Sequence, residues 1–164
     1  MRELEYPFDS EYLYHKKKSI RKQLLAQLDE KSCLHKKIAI LGGSTTRDIR
    51  LMLELFLLQY GIKPEFYESE FDQYYQDAMF PNPALEAFAP DVVYLHTTIR
   101  NIADFPKISD SAETVEQLLM QEYRRYEQMW DRLAAVYHCV IIQNNMEYPY
   151  YRMMGSRDAS DIHG

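Results

Sequence analysis

Apolar and polar positions along the chain follow two periods, one typical of helices and one typical of buried strands. Residues 10–30, 45–60 and 111–137 repeat apolar side chains at helical spacing. Between and after them lie four short runs that predict strands: "KIAILGG", "KPEFYES", "DVVYLHTT" and "HCVIIQNN". Strand alternating with helix predicts a parallel sheet covered on both faces, a three-layer α/β/α sandwich.

The ends of these elements carry turn and cap signals. Thr45 with Asp48 predicts a capping box at the start of the second helix, and Gly61 suits the position just beyond its end. Asp110 with Glu113 predicts the start of the third long helix. The segment "EFDQYYQDAMFPNPALEAFAPD" predicts a connection with one short helix, stopped by prolines.

The pattern predicts one folded unit. We divide the chain into a leading helix with linker, residues 1–35, and one α/β domain, residues 36–164. After the fourth strand no further helix or clear fifth strand is indicated, whereas doubly wound domains usually have about five strands or more. This predicts either a minimal sheet or a sequence cut from a longer protein.

Composition excludes several classes of partner. The net charge of −6 argues against nucleic acid or an anionic membrane surface, because both select basic proteins. No run is long and apolar enough for a membrane span or a signal peptide. The two cysteines, Cys33 and Cys139, are far apart and lack metal-type spacing, which favours a cytoplasmic protein without a metal site. The lysine-rich run at residues 16–22 is most simply a solvated helix face.

Polar side chains gather in the loops after the four strands, at residues 42–46, 68–72, 96–101 and 143–147. In open parallel sheets, ligands bind beyond the carboxyl ends of the strands, so these loops predict a site. We expect a substrate pocket lined by Glu68, Glu70, Thr97, Asn144 and Asn145. Glu68, Glu70 and Asp72 are better explained as a solvated loop than as a metal cluster.

Ser44 lies on a sharp strand-to-helix turn in "GGSTT" and admits three interpretations. It could be a nucleophile, with the amides of Gly43, Ser44 and Thr45 as oxyanion donors; it could line an anion pocket; or it could simply cap the helix. A dinucleotide site is disfavoured because the G-x-G-x-x-G fingerprint is absent. Asn101 could donate to an oxyanion or hold its own loop, and His96 is a possible base.

The "GGST" turn and the asparagine after the third strand resemble SGNH, or GDSL, hydrolases, which fold as flavodoxin-like sandwiches. By that resemblance Ser44 matches the nucleophile and Asn101 the oxyanion asparagine. The glycine usual after the second strand has no counterpart in "FYESEFDQYY". The usual C-terminal Asp-x-x-His pair is also missing, and "DASDIHG" offers His163 at a different spacing.

Longer runs, including "PDVVYLHTTIRNI" and "IIQNNMEYPYYRMMGSRDASDIHG", look like the N-terminal domain of FkbH-like proteins. In that family an SGNH-like domain precedes a Mg²⁺-dependent phosphatase-type domain of the haloacid dehalogenase superfamily, whose aspartate motif this sequence lacks. The family is linked to loading a glyceryl unit onto an acyl carrier protein.

Two functions follow from the resemblance. The first is acyl-ester hydrolysis or acyl or glyceryl transfer involving an acyl carrier protein, with Ser44 and Asn101 in the site and His96 or His163 as base. The second is a non-catalytic module that docks a carrier protein or positions the neighbouring phosphatase domain. Neither requires a cofactor in this chain; Mg²⁺ would belong to the adjoining domain.

Overall fold

The computed structural model describes residues 1–148, 154–158 and 160–162. Its helices and strands, in chain order, are α1 Ser10–Gln27, β1 Leu34–Gly42, α2 Arg47–Gln59, β2 Ile62–Glu68, α3 Tyr74–Met79, α4 Pro83–Phe88, β3 Val92–His96, α5 Ala112–Tyr137 and β4 Val140–Gln143. Short 3-10 turns lie at Arg2–Leu4, Ile99–Asn101 and Gly155–Arg157. The four predicted strands and three long helices are confirmed, and the β2–β3 connection holds two short helices instead of one.

The strands form one parallel sheet in the order β2-β1-β3-β4. This is the order of the first four strands of a flavodoxin-like sheet, and helices lie on both of its faces. The predicted three-layer α/β/α sandwich is therefore confirmed. The chain changes direction across the sheet between β1 and β3, so the loops after these two strands form the crevice where ligands bind in such folds.

One face of the sheet carries the main core. Ala39, Leu41, Val93 and Leu95 alternate inward along β1 and β3 and are fully buried. They pack with side chains from the helices between β2 and β4: Tyr74, Ala78, Leu85, Tyr126, Met129 and Leu133. This face fixes α5 across the sheet and so positions the loop that precedes α5.

The opposite face is covered by α2, with α1 packed outside it. Ile38 and Ile40 are buried on this face. The Arg50 guanidinium of α2 lies 5.8 Å from the centre of the Phe66 ring, and Phe66 pairs with Ile38 across the sheet. A second apolar cluster joins α1 to α2 and to the N-terminal turn: Leu4, Leu13, Ile20, Leu24, Leu55 and Leu58.

Among the described residues, the helices that cover this second face do not extend over β4. Val140 and Ile142 of β4 are in register with Val92 and Tyr94 of β3. They are 61% and 52% exposed, whereas Ile40 on the same face is fully buried. The sheet is therefore enclosed on both faces at β1 and only on the α5 face at β4.

Two predicted helix starts are wrong, because other side chains take the capping positions. The N-cap of α2 is Thr46, which makes no side-chain cap bond; its hydroxyl donates instead to Glu68, 3.1 Å away. The N-cap of α5 is Ser111, which accepts from the Thr114 amide. The predicted position of Gly61, just beyond the end of α2, is confirmed. Its φ is 72°, and its amide donates to the Leu58 carbonyl.

The leading helix is tied to the rest of the chain. Beyond its apolar contacts with α2, Arg21 of α1 pairs with the buried Glu54 at 2.9 Å, and Asp9 caps α1 by accepting from the Tyr12 amide. β1 begins at Leu34, just before the predicted domain boundary. Both cysteines are free. Across the described residues, no helix has the length and apolar character needed to cross a membrane.

Candidate functional site at the carboxyl ends of the strands

The four loops after the strands, residues 42–46, 68–72, 96–101 and 143–147, meet at one edge of the sheet, which we call the strand-end rim. The Gly43 amide donates to the His96 carbonyl at 2.8 Å and extends the β1–β3 ladder into the rim. The Gly42 amide donates to Ser69 Oγ at 2.9 Å and ties in the loop after β2. The polar loops are thus brought together as predicted.

Ser44 does not cap α2. Its side chain is half-buried, and within the described part of the chain its hydroxyl has no hydrogen-bond partner. Gly42 is needed for the turn, because a Cβ there would lie 2.4 Å from Thr46 Cγ2. The capping interpretation of Ser44 and Thr45 is therefore wrong, and the Ser44 hydroxyl is available for a ligand.

Asn101 packs directly on the Ser44 turn. A Cβ added to Gly43 would lie 2.4 Å from the Asn101 amide. Asn101 Nδ2 donates to the Gly43 carbonyl at 3.1 Å and to Asp72 Oδ1 at 3.2 Å, so both amide hydrogens are engaged. Its Oδ1 accepts from the Thr98 amide at 2.9 Å and closes a capping box. Asn101 therefore holds the loop after β3 against the turn after β1.

His96 sits at the end of β3 on the α2 face of the sheet. Its Nδ1 forms a 3.2 Å hydrogen bond with Tyr94 Oη, and burial raises the pKa of Tyr94. Among the residues that the structure describes, no hydrogen bond joins His96 to Ser44. The other predicted base, His163, lies outside the described residues. Within the described residues, the rim therefore contains no group that is placed to accept the proton of Ser44.

The carboxylates of the loop after β2 contact different partners. Glu68 lies 2.6 Å from Arg50 Nε and accepts from the Thr46 hydroxyl. Asp72 accepts from Asn101, and Glu70 is exposed. Among the described residues, these three carboxylates do not form a group of possible metal ligands.

The predicted pocket residues near β4 form a clamp between β3 and β4. Asn144 Oδ1 accepts from the Thr97 amide at 3.1 Å, and Asn144 Nδ2 donates to the Thr97 carbonyl at 2.7 Å. Trp130 Nε1 donates to Gln143 Oε1 at 2.6 Å, and Gln143 in turn donates to Thr97 Oγ1. Asn145 is exposed beside them. These groups replace the ladder where the strands stop.

Sequence reasoning missed Arg125, which supports the rim from α5. Arg125 donates to the Asn101 carbonyl at 2.6 Å and to Tyr74 Oη at 3.0 Å, and it pairs with Glu122 one turn earlier. Burial lowers the pKa of the guanidinium, but the bonds to Glu122 and Tyr74 outweigh burial and raise it overall. No motif marks this residue, because its partners lie on three separate elements.

Two grooves lie beside the rim. One, of about 790 Å³, runs along the first half of α5 and contains Glu113, Gln117, Met120 and Arg124. The other, of about 370 Å³, lies between α1 and the start of α2; its lining residues are Tyr14, Lys17, Lys18, Arg21, Arg47, Asp48, Arg50, Leu51 and Leu55. None of the predicted site residues that the structure describes lines either groove.

The α1–α2 groove is cationic. Five lysine and arginine side chains line it, against the single carboxylate of Asp48. Three of the cations are neutralised in ion pairs, Lys17 with Asp48, Arg21 with Glu54 and Arg50 with Glu68. Lys18 and Arg47 are exposed and have no ion pair within the described residues. In a chain of net charge −6, this groove is a local basic surface.

Comparison with known proteins identifies the fold. No protein-family profile matches the sequence, and no curated protein matches it. A solved structure described as the N-terminal part of the protein BF1531 from Bacteroides fragilis, containing a phosphatase domain complexed with Mg, is similar with a TM-score of 0.68 and 15% identity. The match covers 90% of this chain and 38% of the other, so this chain spans well under half the length of that structure.

Proposed function

We propose that this chain is a docking domain of an FkbH-like protein, whose α1–α2 groove binds an acyl carrier protein and whose strand-end rim faces the carried acyl or glyceryl group. The family assignment rests on the resemblance of the sequence and is supported by the fold shared with a phosphatase-containing protein. The cationic groove is the observation that carries the docking role.

Charge complementarity supports an acidic partner protein for this groove. An acyl carrier protein is acidic, and most of this chain's surface would repel it. The α1–α2 groove is the exception, since Lys18 and Arg47 are cations left without a carboxylate partner in the described residues. Arg47 directly follows the Ser44 turn, so a carrier protein bound there would present its acyl-bearing arm to the rim.

The contacts of the rim favour binding over catalysis. Asn101 donates both amide hydrogens within the protein, and Ser44 has no base in the described residues. A serine without a base is a poor nucleophile. The predicted oxyanion role of the Gly43 amide is wrong, because that amide donates to the His96 carbonyl. The amides of Ser44 and Thr45 have no acceptor within the described residues and could donate to an anionic or carbonyl oxygen of the ligand. A cytoplasmic location, predicted from the cysteines, suits this partner.

Binding of a purified holo acyl carrier protein to the immobilised chain tests the proposal. We expect binding that weakens as salt rises from about 0.05 to 0.5 M. The double change Lys18→Glu with Arg47→Glu should weaken binding by about tenfold or more. The double change Lys31→Glu with Lys107→Glu alters the charge equally at exposed positions outside the groove; it is the matched control and should alter binding less than about twofold. Equal binding by the groove variant and the wild-type chain would overturn the docking role.

Acyl transfer at Ser44 is the second candidate, and one contact favours it. The close packing of Gly43 on Asn101 brings the serine turn and the asparagine together, as SGNH chemistry requires. In this alternative Ser44 is the nucleophile, and Asn101 would have to release Asp72 to donate to an oxyanion. Hydrolysis of p-nitrophenyl acetate above the buffer rate, lost in Ser44→Ala and kept in Thr45→Ala, would favour the alternative over docking.

A further inference from the structure

A group of possible metal ligands lies at the opposite end of β1 from the strand-end rim. Glu30 and Cys33 belong to the turn between α1 and β1, and His35 is the second residue of β1. A carboxylate oxygen, the thiol sulfur and an imidazole nitrogen of these residues all lie within 4.8 Å of one another. The group shares no residue with the rim or with the α1–α2 groove.

The spacing of the two softer donors fits tetrahedral zinc. Zn–S bonds of about 2.3 Å and Zn–N bonds of about 2.0–2.1 Å at a tetrahedral angle place the sulfur and nitrogen about 3.6 Å apart. Cys33 Sγ and His35 Nε2 are 3.4 Å apart. The two side chains can therefore bind one ion with small rotations. That contact shows that the two side chains lie on the same side of the chain where β1 begins.

The backbone that carries the group is fixed by the adjacent turn. Asp29 accepts from the amides of Lys31 and Cys33 through its side chain and its carbonyl, respectively. The Leu34 amide donates to the Gly61 carbonyl at 2.9 Å and anchors the start of β1 to the end of α2. The ligands thus extend from ordered backbone, which lowers the cost of bringing them together.

The Glu30 side chain is held in place by Lys63. Lys63 Nζ lies 2.6 Å from Glu30 Oε1. Lys63 does not contact the second carboxylate oxygen, so that oxygen can bind a cation while the first stays bonded to Lys63.

We propose that Glu30, Cys33 and His35 form a Zn²⁺ site with a fourth position open to water or to a ligand. A thiolate with an imidazole selects zinc over the oxygen-preferring Mg²⁺ and Ca²⁺. Three protein ligands with one open position is the arrangement of exchangeable zinc sites. The spacing of the two cysteines and the acidic loop after β2 predict no metal site, and neither includes the pattern Glu-x-x-Cys-x-His found here.

Titration of the reduced, untagged chain with Co²⁺ and then Zn²⁺ tests this site. We expect one equivalent of Co²⁺ to give thiolate-to-cobalt charge transfer and the visible bands of a tetrahedral ion, both removed by Zn²⁺. Competition with a chromophoric chelator should show at least about tenfold weaker Zn²⁺ binding in Cys33→Ser and in His35→Ala. Affinity should also fall from pH 7.5 to pH 6 as protons compete for the ligands.

Matched variants separate this site from adventitious binding. Cys139→Ser and His15→Gln change the other cysteine and an exposed histidine, and both should bind like the wild-type chain. Circular dichroism of metal-free Cys33→Ser should match the wild-type spectrum, because Cys33 is only half-buried and lies outside the two apolar clusters. Absence of the charge-transfer band in the wild-type chain would overturn the proposal. Zn²⁺ affinity unchanged by Cys33→Ser would do the same.

Discussion

The two halves of the strand-end rim use their polar side chains differently. Beside β3 and β4, the side chains of Asn101 and Asn144 are bonded to the backbone of neighbouring loops, and the Thr97 hydroxyl accepts from Gln143. Beside β1, the Ser44 hydroxyl has no partner in the described residues and Thr45 is exposed. Sequence composition makes the two halves look alike. The structure assigns a structural role to the first and leaves the second open to a ligand.

The difference follows from what happens where a parallel ladder ends. Buried backbone amides and carbonyls beyond the last ladder bond still need partners. At β3 and β4, the Asn144 side chain supplies them to both backbone groups of Thr97. At β1, Gly43 continues the ladder to His96, and Ser44 is not needed for that purpose. Polar residues after a strand therefore indicate a ligand site only when the backbone does not need them.

Gly43→Ala should have the largest effect on stability. The added Cβ would lie 2.4 Å from the Asn101 amide, which is held from three sides. We expect a loss of about 3 kcal/mol in the free energy of unfolding, measured in urea. A loss below about 0.5 kcal/mol would show that the two loops are not packed together.

Asn101→Ala should lower the free energy of unfolding by about 2 kcal/mol, because it leaves the Gly43 carbonyl and the Thr98 amide without their partner. Gly43→Ala and Asn101→Ala disturb the same contact. The variant that carries both should therefore be about 1 kcal/mol more stable than the sum of the two single losses predicts. Strict additivity in the urea measurements would contradict the contact between the halves.

Asn144→Ala should cost about 1.5 kcal/mol, since it removes two bonds to the backbone of Thr97. Asn145→Ala is the matched control. The Asn145 side chain is exposed and is not part of the clamp, so this change should alter stability by less than about 0.5 kcal/mol. Equal losses for the two variants would remove the structural role given to Asn144.

Ser44→Ala should have the smallest effect, below about 0.5 kcal/mol, because the hydroxyl neither caps α2 nor bonds within the described residues. Thermal or urea unfolding measures it. A loss near 1 kcal/mol, typical of a lost cap, would restore the capping interpretation and bring the two halves of the rim into line.

The sequence was sufficient for the layers of the fold and insufficient for its polar contacts. The strands and long helices were predictable because their apolar residues repeat at the spacing of buried positions. The run "KIAILGG" and the helical repeat of α5 are examples. The cap predictions were wrong for two reasons. The Thr46 hydroxyl donates to Glu68, which is distant in sequence, and Ser111 takes the N-cap position of α5 in place of its neighbour Asp110.

Long-range partners also decide the candidate site. Arg125 reaches Asn101 only because α5 crosses the sheet above Leu95, which no local pattern specifies. The gathering of Ser44 and Asn101 was predictable, since both follow neighbouring strands of a parallel sheet. Their hydrogen-bonding state was not, because it depends on whether other side chains satisfy the backbone first.

Labelling with a fluorophosphonate probe, followed by intact-mass measurement, tests the central claim that the rim binds a ligand without nucleophilic catalysis. The wild-type chain, Ser44→Ala and Thr45→Ala would be compared. We expect no adduct on any of the three. A single adduct that forms on the wild-type chain and on Thr45→Ala, and disappears in Ser44→Ala, would show an activated serine and contradict that claim.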